Sequence, residues 1–426
     1  MASFFIPLTG LESDSTALNT IANDLSNMNT TAFKAQTTNF SDLFYQQIGT
    51  AGSGDPIELG AGVKVASNET SYSQGAINAT GNSTDVALNG SGFFVINDGT
   101  GANEYTRAGD FSLTSTGALV TSGGMSVMGY PAVGGVVNTN APLTAMTIPV
   151  GQVQEPKATS TLNMTANLDA SSANGTAFPA QVTVYDSLGE PHIATATYTE
   201  TGVNTWSYSV ALPAADFTSG VSTPTTGSMS FNANGNLTTI TPTGGAATTV
   251  GSANGDISSI PLSFTGLADG ANDLGIGWNL LGTGGTPTVS QVGTASAVSA
   301  TAQNGYASGQ YQSFAVGADG TVTATFSNGQ KENVGQLALA SVTNVQGLQL
   351  LGDGDYATTL ASGTASVATS GTAGLGTLQD GALEGSNVNI SAEFSDLIIA
   401  QRGFEANSKT VTTFDTITQE TINMIH

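Results

Sequence analysis

"LNTIANDLSNMNTTAFK" spans Leu18–Lys34, and its reading sets the plan of the chain. Leu11, Leu18, Ile21, Leu25 and Met28 follow 7, 3, 4, 3 spacing, a coiled-coil seam with Asp14 in one slot. Asn19, Asn23 and Asn27 form a second stripe at i, i+4. Asparagine is a poor helix former. The stripe fits either amide hydrogen bonds to a neighbour or a solvated polar face. At the far end, "AEFSDLIIAQRGFEANSKTVTTFDTI" (Ala392–Ile417) also reads as helix. Ile390, Phe394, Leu397, Phe404, Val411, Phe414 and Ile425 keep roughly heptad spacing, with no proline. Asn389 is placed to cap this helix, and Glu393 faces its positive end. Thirty-odd residues at about 1.5 Å each give a rod of about 50 Å.

Neither helix is stable alone. Five buried apolar side chains yield roughly 10 kcal/mol on the first helix. Ordering some twenty residues costs about 1–2 kcal/mol each. Hydrogen bonds recover only part of that, so both helices need partners, in the same chain or in other copies.

Between the helices the period changes from 3.6 to two. "GFFVIND", "NEYTRAG", "DFSLT", "GALVT" and "MSVMGY" (Gly92–Tyr130) read as an antiparallel meander broken by glycine turns. A stretch dotted with Pro142, Pro149 and Pro156 marks a boundary. "QVTVYDSLGEPH" and "NTWSYSV" open a second β-region, and "MSFNANGNLTTI" is a hairpin at Asn234-Gly235. The weakly patterned stretch from Gly282 to Thr301 marks its end. Hairpins resume at Asp319-Gly320 and Asn328-Gly329. Ala361–Gly376, built of small residues, reads as a linker.

The expected fold class is therefore mainly β and multidomain, with helical termini forming a coiled-coil domain and nested β-rich domains between them. Residues 1–34 and 383–426 would form the helical domain, and 35–74 and 366–382 linkers. Residues 75–157 and 301–365 would form a discontinuous β-domain, and 158–300 an inserted one.

Composition narrows the function. The chain has 426 residues, a net charge of −24, seven Lys+Arg against 31 Asp+Glu, and no cysteine. Seven basic residues cannot form the cationic face that nucleic acid or an anionic membrane requires. Without cysteine there is no disulfide framework and no thiol nucleophile. No run of about 18 apolar residues suggests membrane insertion. "MASFFIPLTGLES" lacks a basic start, and Pro7 breaks its short apolar run. A cleaved leader is not expected. Charged residues make up only 9% of the chain, so its surface is rich in Thr, Ser, Asn and Gly, which suits assembly.

Catalytic candidates are scarce. His192 and His426 are the only histidines and stand apart in sequence, so no metal site or triad is expected. Asp269 and Asp273, like Asp353 and Asp355, read as solvated turn aspartates rather than calcium ligands. "GTGGT" near Gly282 lacks the lysine of a phosphate loop. No enzyme activity and no cofactor are expected.

Four stretches carry a family resemblance. They are "LTGL…ALNTIANDLSNMNTTAFK", "GSGFFVIND…YTRAGDFSLTSTGALVTSGGMSVMGY", "VYDSLGEPH" followed by W-x-Y, and the closing region through "GALEGSNVNISAEFSDLIIAQRGFEANSKTV". Together they resemble the bacterial flagellar rod and hook axial proteins, the hook branch most of all. Ala32 stands where the family commonly has glycine. The resemblance implies a structural subunit whose terminal helices line an inner tube while its β-domains touch neighbouring copies. It implies a homopolymer forming a curved, bendable tube that carries torque from rod to filament. Further implied partners are the flagellar rod, the hook cap, the hook–filament junction proteins and the type III export apparatus. The implied location is extracellular, in the flagellum. The seam residues above, with Asn23 and Asn27, would be its assembly interface. A distal rod protein shares the ends, and a secreted β-rich adhesin or surface-layer protein shares the composition. The length and "VYDSLGEPH" favour the hook over the rod. The paired terminal heptads are unexplained by an adhesin.

Overall fold

The computed structural model describes residues 4–424 apart from 53, 100, 252–255 and 283. Ile425 lies outside the described residues. The chain is mainly β with one long helix near each end, and it divides into two compact units. One comprises Met1–Val150, Ser313–Thr325 and Lys331–His426, and the other Gly151–Gln312 and Phe326–Gln330.

In the helix-bearing unit, α1 (Phe5–Ser26) and α2 (Ile390–Met424) pack side by side. They run antiparallel, with Phe4 meeting Phe414 and Asp14 meeting Asn407. The asparagine cap of α2 forms as expected, because Asn389 Oδ1 accepts from the N–H groups of Ser391 (3.1 Å) and Ala392 (3.3 Å). The end of α1 comes earlier than the spacing suggests. Helix stops at Ser26, leaving Asn27 and Met28 outside it. The asparagines explain the stop: Asn27 Nδ2 donates to the Asn23 carbonyl at 2.9 Å, closing the last turn instead of extending it.

Ala32, in the reversal that follows, has φ +54°. This left-handed conformation costs an alanine about 1–2 kcal/mol. Ala32 is also buried, and its N–H donates to the Glu384 carbonyl at 2.8 Å. Replacing it with glycine relieves the strain but forfeits about 0.8 kcal/mol of methyl burial and about 0.4–1 kcal/mol of chain entropy. Ala32→Gly is therefore expected to change stability by less than about 1 kcal/mol, as measured by chemical denaturation. A larger gain would show that strain outweighs packing here.

The segments read as linkers are structured. In 35–74, Gln36–Asp42 pairs antiparallel with Val63–Thr70, and Tyr45–Thr50 with Pro56–Gly60. α1 lies on the first ribbon, where Thr38 donates to Thr20 at 3.1 Å. In 366–382, Ser366–Thr369 pairs with Ala338–Ser341, and Thr377–Asp380 with Val86–Asn89. Leu375 and Leu378 are buried. Small residues leave no apolar alternation to read, yet their backbone groups can still complete a sheet begun elsewhere.

The main sheet of this unit runs Thr321–Phe326, Lys331–Ser341, Ser126–Val133, Phe93–Asn97, Asn103–Thr106, Asp355–Ala357, Gln349–Gly352. Its central strands thus come from both halves of the chain. Phe93, Val95, Tyr105, Ala338, Ala340 and Tyr356 form a core beneath it, and the rings of Phe93 and Tyr356 meet edge to face at 5.4 Å.

The inserted unit is two sheets around one core. The first runs in chain order through Ala177–Tyr185, Pro191–Gly202, Thr205–Ala211, Thr225–Phe231, Leu237–Pro242 and Thr248–Thr249. The second is Ser259–Phe264, Leu274–Asn279, Thr161–Asp169 and Val289–Val292, with Ala297–Gln303 also on Thr161–Asp169. Trp206, Tyr208 and Val210 alternate inward as period two requires, and Trp278 of the second sheet meets Tyr208 at 5.9 Å. The stretch from Gly282 to Thr301, read as a boundary, supplies two of these strands. Their anchor is Thr161–Asp169, more than a hundred residues earlier.

Candidate functional site

The terminal helices and the strands that receive them form the candidate site. α1 turns an unexpected face to its neighbours. Its buried residues are Pro7, Gly10, Ser13, Ala17, Thr20, Ile21 and Asp24, a stripe at helical spacing made mostly of small or polar groups. Small residues let two backbones approach closely. A Cβ on Gly10 would lie 2.5 Å from Asn407 Nδ2, and one on Gly403 would lie 3.0 Å from Asp14 Oδ2. In that gap Asn407 Nδ2 donates to Asp14 Oδ2 at 2.9 Å. Gly403, a cost when α2 is weighed as an isolated helix, is what makes this approach possible.

The expected apolar seams therefore split. Ile21 is buried on the intrachain face. Leu397, Val411 and Phe414 are half-buried, and Phe414 packs edge to face on Phe4 with ring centroids 5.8 Å apart. Leu11, Leu18 and Leu25 are only half-buried, and Met28 is exposed beyond the helix end. Ile390, Phe394 and Phe404 are exposed. Asn23 is exposed, and Asn27 bonds back to its own helix, so the stripe turns away from α2. No residue of α2 is fully buried.

Apolar surface is left over. Ile398, Ile399, Ile417 and Ile422 on α2 are exposed, as are Phe5 and Leu8 on α1. The ribbon Tyr45–Thr50/Pro56–Gly60 exposes Tyr45, Ile48, Ile57 and Leu59, with Phe44 just before it. So many exposed large apolar side chains on neighbouring elements point to an interaction surface. Neither described helix is long and apolar enough to cross a membrane.

Where the helices join the β-structure lies a buried ionic knot that pattern reading missed. Lys34 Nζ meets Glu384 Oε1 at 2.6 Å, and Arg107 Nη2 meets Glu384 Oε2 at 3.0 Å. The three side chains are at most 4% exposed. Every remaining polar atom has a use. Lys34 also donates to the Ser73 carbonyl, Arg107 to the carbonyls of Gly90 and Gly92, and the Gly75 N–H donates to Glu384 Oε1. Burial pushes the Lys34 ammonium below the ordinary lysine range, while Glu384 pulls it back up. Lys34 follows α1 and Glu384 precedes α2, so the knot fixes both helix roots to Arg107, just past the strand Asn103–Thr106.

A second acidic feature lies between the helix ends. Asp24 Oδ2 accepts the Gln36 N–H at 2.8 Å, and burial raises its carboxyl above the usual range. Burial, reinforced by Asp24 and Asp396, raises Glu393 in the same way.

Known proteins share this organisation. Residues 87–167 match the family model for the flagellar hook protein FlgE/F/G D1 domain. Residues 154–306 match that for the flagellar basal body protein FlaE D2 domain, and 379–424 that for the flagellar basal body rod FlgEFG protein C-terminal. The chain is 35% identical over 467 residues to the flagellar hook protein FlgE of Treponema pallidum, covering 100% of this chain and 99% of the relative. It is 33% identical over 436 residues to that of Escherichia coli, covering 99% and 100%. The crystal structure of Helicobacter pylori flagellar hook protein FlgE2 superposes with a TM-score of 0.53 at 15% identity, over 71% of this chain and 99% of that one. At that identity the structural likeness speaks for the fold. The sequence matches run end to end, and by them the chain belongs to the family of flagellar hook proteins.

Proposed function

We infer that this chain is the structural subunit of a flagellar hook. It polymerises with itself into a curved, bendable helical tube that transmits torque from rod to filament. The observation that carries this reading is the apolar surface left open on both helices and on the Tyr45–Gly60 ribbon. Other copies of the chain cover it. A contact between unlike patches, repeated with a rotation that does not close, gives a helical polymer. In this reading α1 and α2 form the coiled-coil part of the assembly domain, with Leu11, Leu18 and Leu25 meeting neighbouring subunits. The chain acts by assembly rather than catalysis. Its further partners are the rod, the hook cap, the hook–filament junction proteins and the flagellar type III export apparatus, and its place is the extracellular part of the flagellum.

Electron microscopy of the purified protein under polymerising conditions tests this reading. Short curved tubes are expected. Straight tubes would favour a distal rod protein, and the absence of any polymer would favour an adhesin.

A further inference from the structure

The inserted unit gathers four titratable side chains: Asp186 and His192, six residues apart, and Asp216 and Asp269 from later segments. His192, the second residue of the strand Pro191–Gly202, places Nδ1 2.9 Å from Asp216 Oδ2. Its Nε2 lies 3.3 Å from Asp186 Oδ2 and 3.7 Å from Asp269 Oδ2. Asp186 follows the strand Ala177–Tyr185, and its Oδ1 is occupied by the N–H groups of Leu188 and Glu190. Its Oδ2 is thereby directed to the imidazole. Asp216 ends a short 3-10 turn (Ala214–Asp216), and Asp269 sits in the loop between Ser259–Phe264 and Leu274–Asn279 of the other sheet.

We propose that Asp186, His192 and Asp269 form a binding site for one divalent transition-metal ion, with Asp216 orienting the histidine. The ligand atoms all lie within 4.8 Å of one another. Two ligands about 2.1 Å from a zinc ion at the tetrahedral angle stand about 3.4 Å apart. The two measured separations from Nε2 bracket that distance. The tautomer protonated at Nδ1 is the one that suits a metal. A hydrogen bond from Nδ1–H to Asp216 leaves the Nε2 lone pair facing two carboxylate oxygens, the carboxylate–histidine–metal arrangement. Three lone-pair donors pointing at one another need an electrophile between them, and that is either a proton or a metal ion.

The surroundings favour the metal. Of the seven basic side chains, only Lys157 belongs to this unit. Among the described residues, no lysine or arginine pairs with these aspartates, and His192 is their only cationic partner. An imidazole with two carboxylates suits zinc or manganese rather than calcium, which prefers an all-oxygen shell. The Asp269 side is partly open to solvent and provides a way in. A bound ion would clamp a loop of one sheet to a strand of the other, so its role is to stiffen the unit. This inference is independent of the polymer reading.

The test uses the full chain, stripped with chelator and titrated with Zn2+ by calorimetry in physiological salt with excess Mg2+. One ion per chain is expected, with a rise in melting temperature. Asp216→Asn should weaken binding by about 10–100-fold, and Asp269→Asn by at least as much. Asp269 is the rim ligand, so its variant keeps the fold, which circular dichroism checks. The chain holds two histidines, so ring nitrogen NMR separates them cleanly: Zn2+ should shift His192 and leave His426 in place. Absence of stoichiometric uptake, unchanged affinity in Asp269→Asn, or a shift confined to His426 would each overturn the site and leave the cluster holding a proton.

Discussion

Glu384→Ala is expected to lower the melting temperature of the helix-bearing unit by about 6–20 °C, which corresponds to about 3–5 kcal/mol. Two cations converge on this one carboxylate, at 2.6 and 3.0 Å, with almost no access to water. Removing it leaves Lys34 and Arg107 buried without a counter-charge. Lysine can shed its proton under that pressure, and burial already pushes it that way. Arginine cannot, because its delocalised guanidinium stays protonated in proteins. The Arg107 guanidinium must then draw water in or pull the strand apart. Replacing Arg107 with Met as well removes the orphan charge. The double variant is expected to lose less stability than the two single losses combined, by at least about 1.5 kcal/mol. Differential scanning calorimetry of the four proteins measures that coupling. A Glu384→Ala protein that melts with wild type would mean that water already reaches the knot. The consequence also extends to assembly, because Lys34 and Glu384 fix the roots of both helices.

The knot also shows where sequence reading stops. Lys34, Arg107 and Glu384 stand 277 and 350 residues apart in the two ion pairs, and no periodicity links them. Local features were legible. The Asn389 cap and the inward alternation of Trp206, Tyr208 and Val210 depend on neighbours within one helix turn or one strand. The seam was legible only in part, because apolar spacing says that a helix face will be buried, not by what. The intrachain contact went to the Gly10–Ser13–Ala17 stripe, while Leu11, Leu18 and Leu25 stayed half-open. Small residues at helical spacing on α1, opposite a glycine on α2, were the signal for it. The strands at Ser366–Thr369 and Ala297–Gln303 had no signal of their own, since their partners are set by the topology of the whole sheet. His192 looked isolated for a related reason: Asp186 stands six residues before it, but Asp216 and Asp269 arrive from other segments.

Ile399→Asp is expected to raise the critical concentration for polymerisation by about 100–1,000-fold while leaving the free subunit intact. Ile399 is 69% exposed in the single chain. A charge there costs the subunit no more than about 0.5 kcal/mol. In the polymer the same side chain would be covered by a neighbouring copy. A carboxylate buried without a partner costs several kcal/mol, and each 1.4 kcal/mol or so is a factor of ten in the association constant. The α2 surface around it makes matters worse, since Asp396 and Glu393 already line the same groove. The groove contains no basic side chain to neutralise a new acid. Sedimentation reports the polymer fraction and calorimetry the subunit, so the two effects separate. If Ile399→Asp polymerises at the wild-type concentration, this face of α2 is turned to solvent in the tube. The intersubunit contact would then fall to the α1 leucines and the Tyr45–Gly60 ribbon. Leu25→Asp then becomes the discriminating variant. Leu25 is half-buried in the single chain, so the same substitution there should disturb the subunit as well as the polymer. Loss of assembly at Ile399 with an unchanged subunit melt places the neighbour on α2 itself.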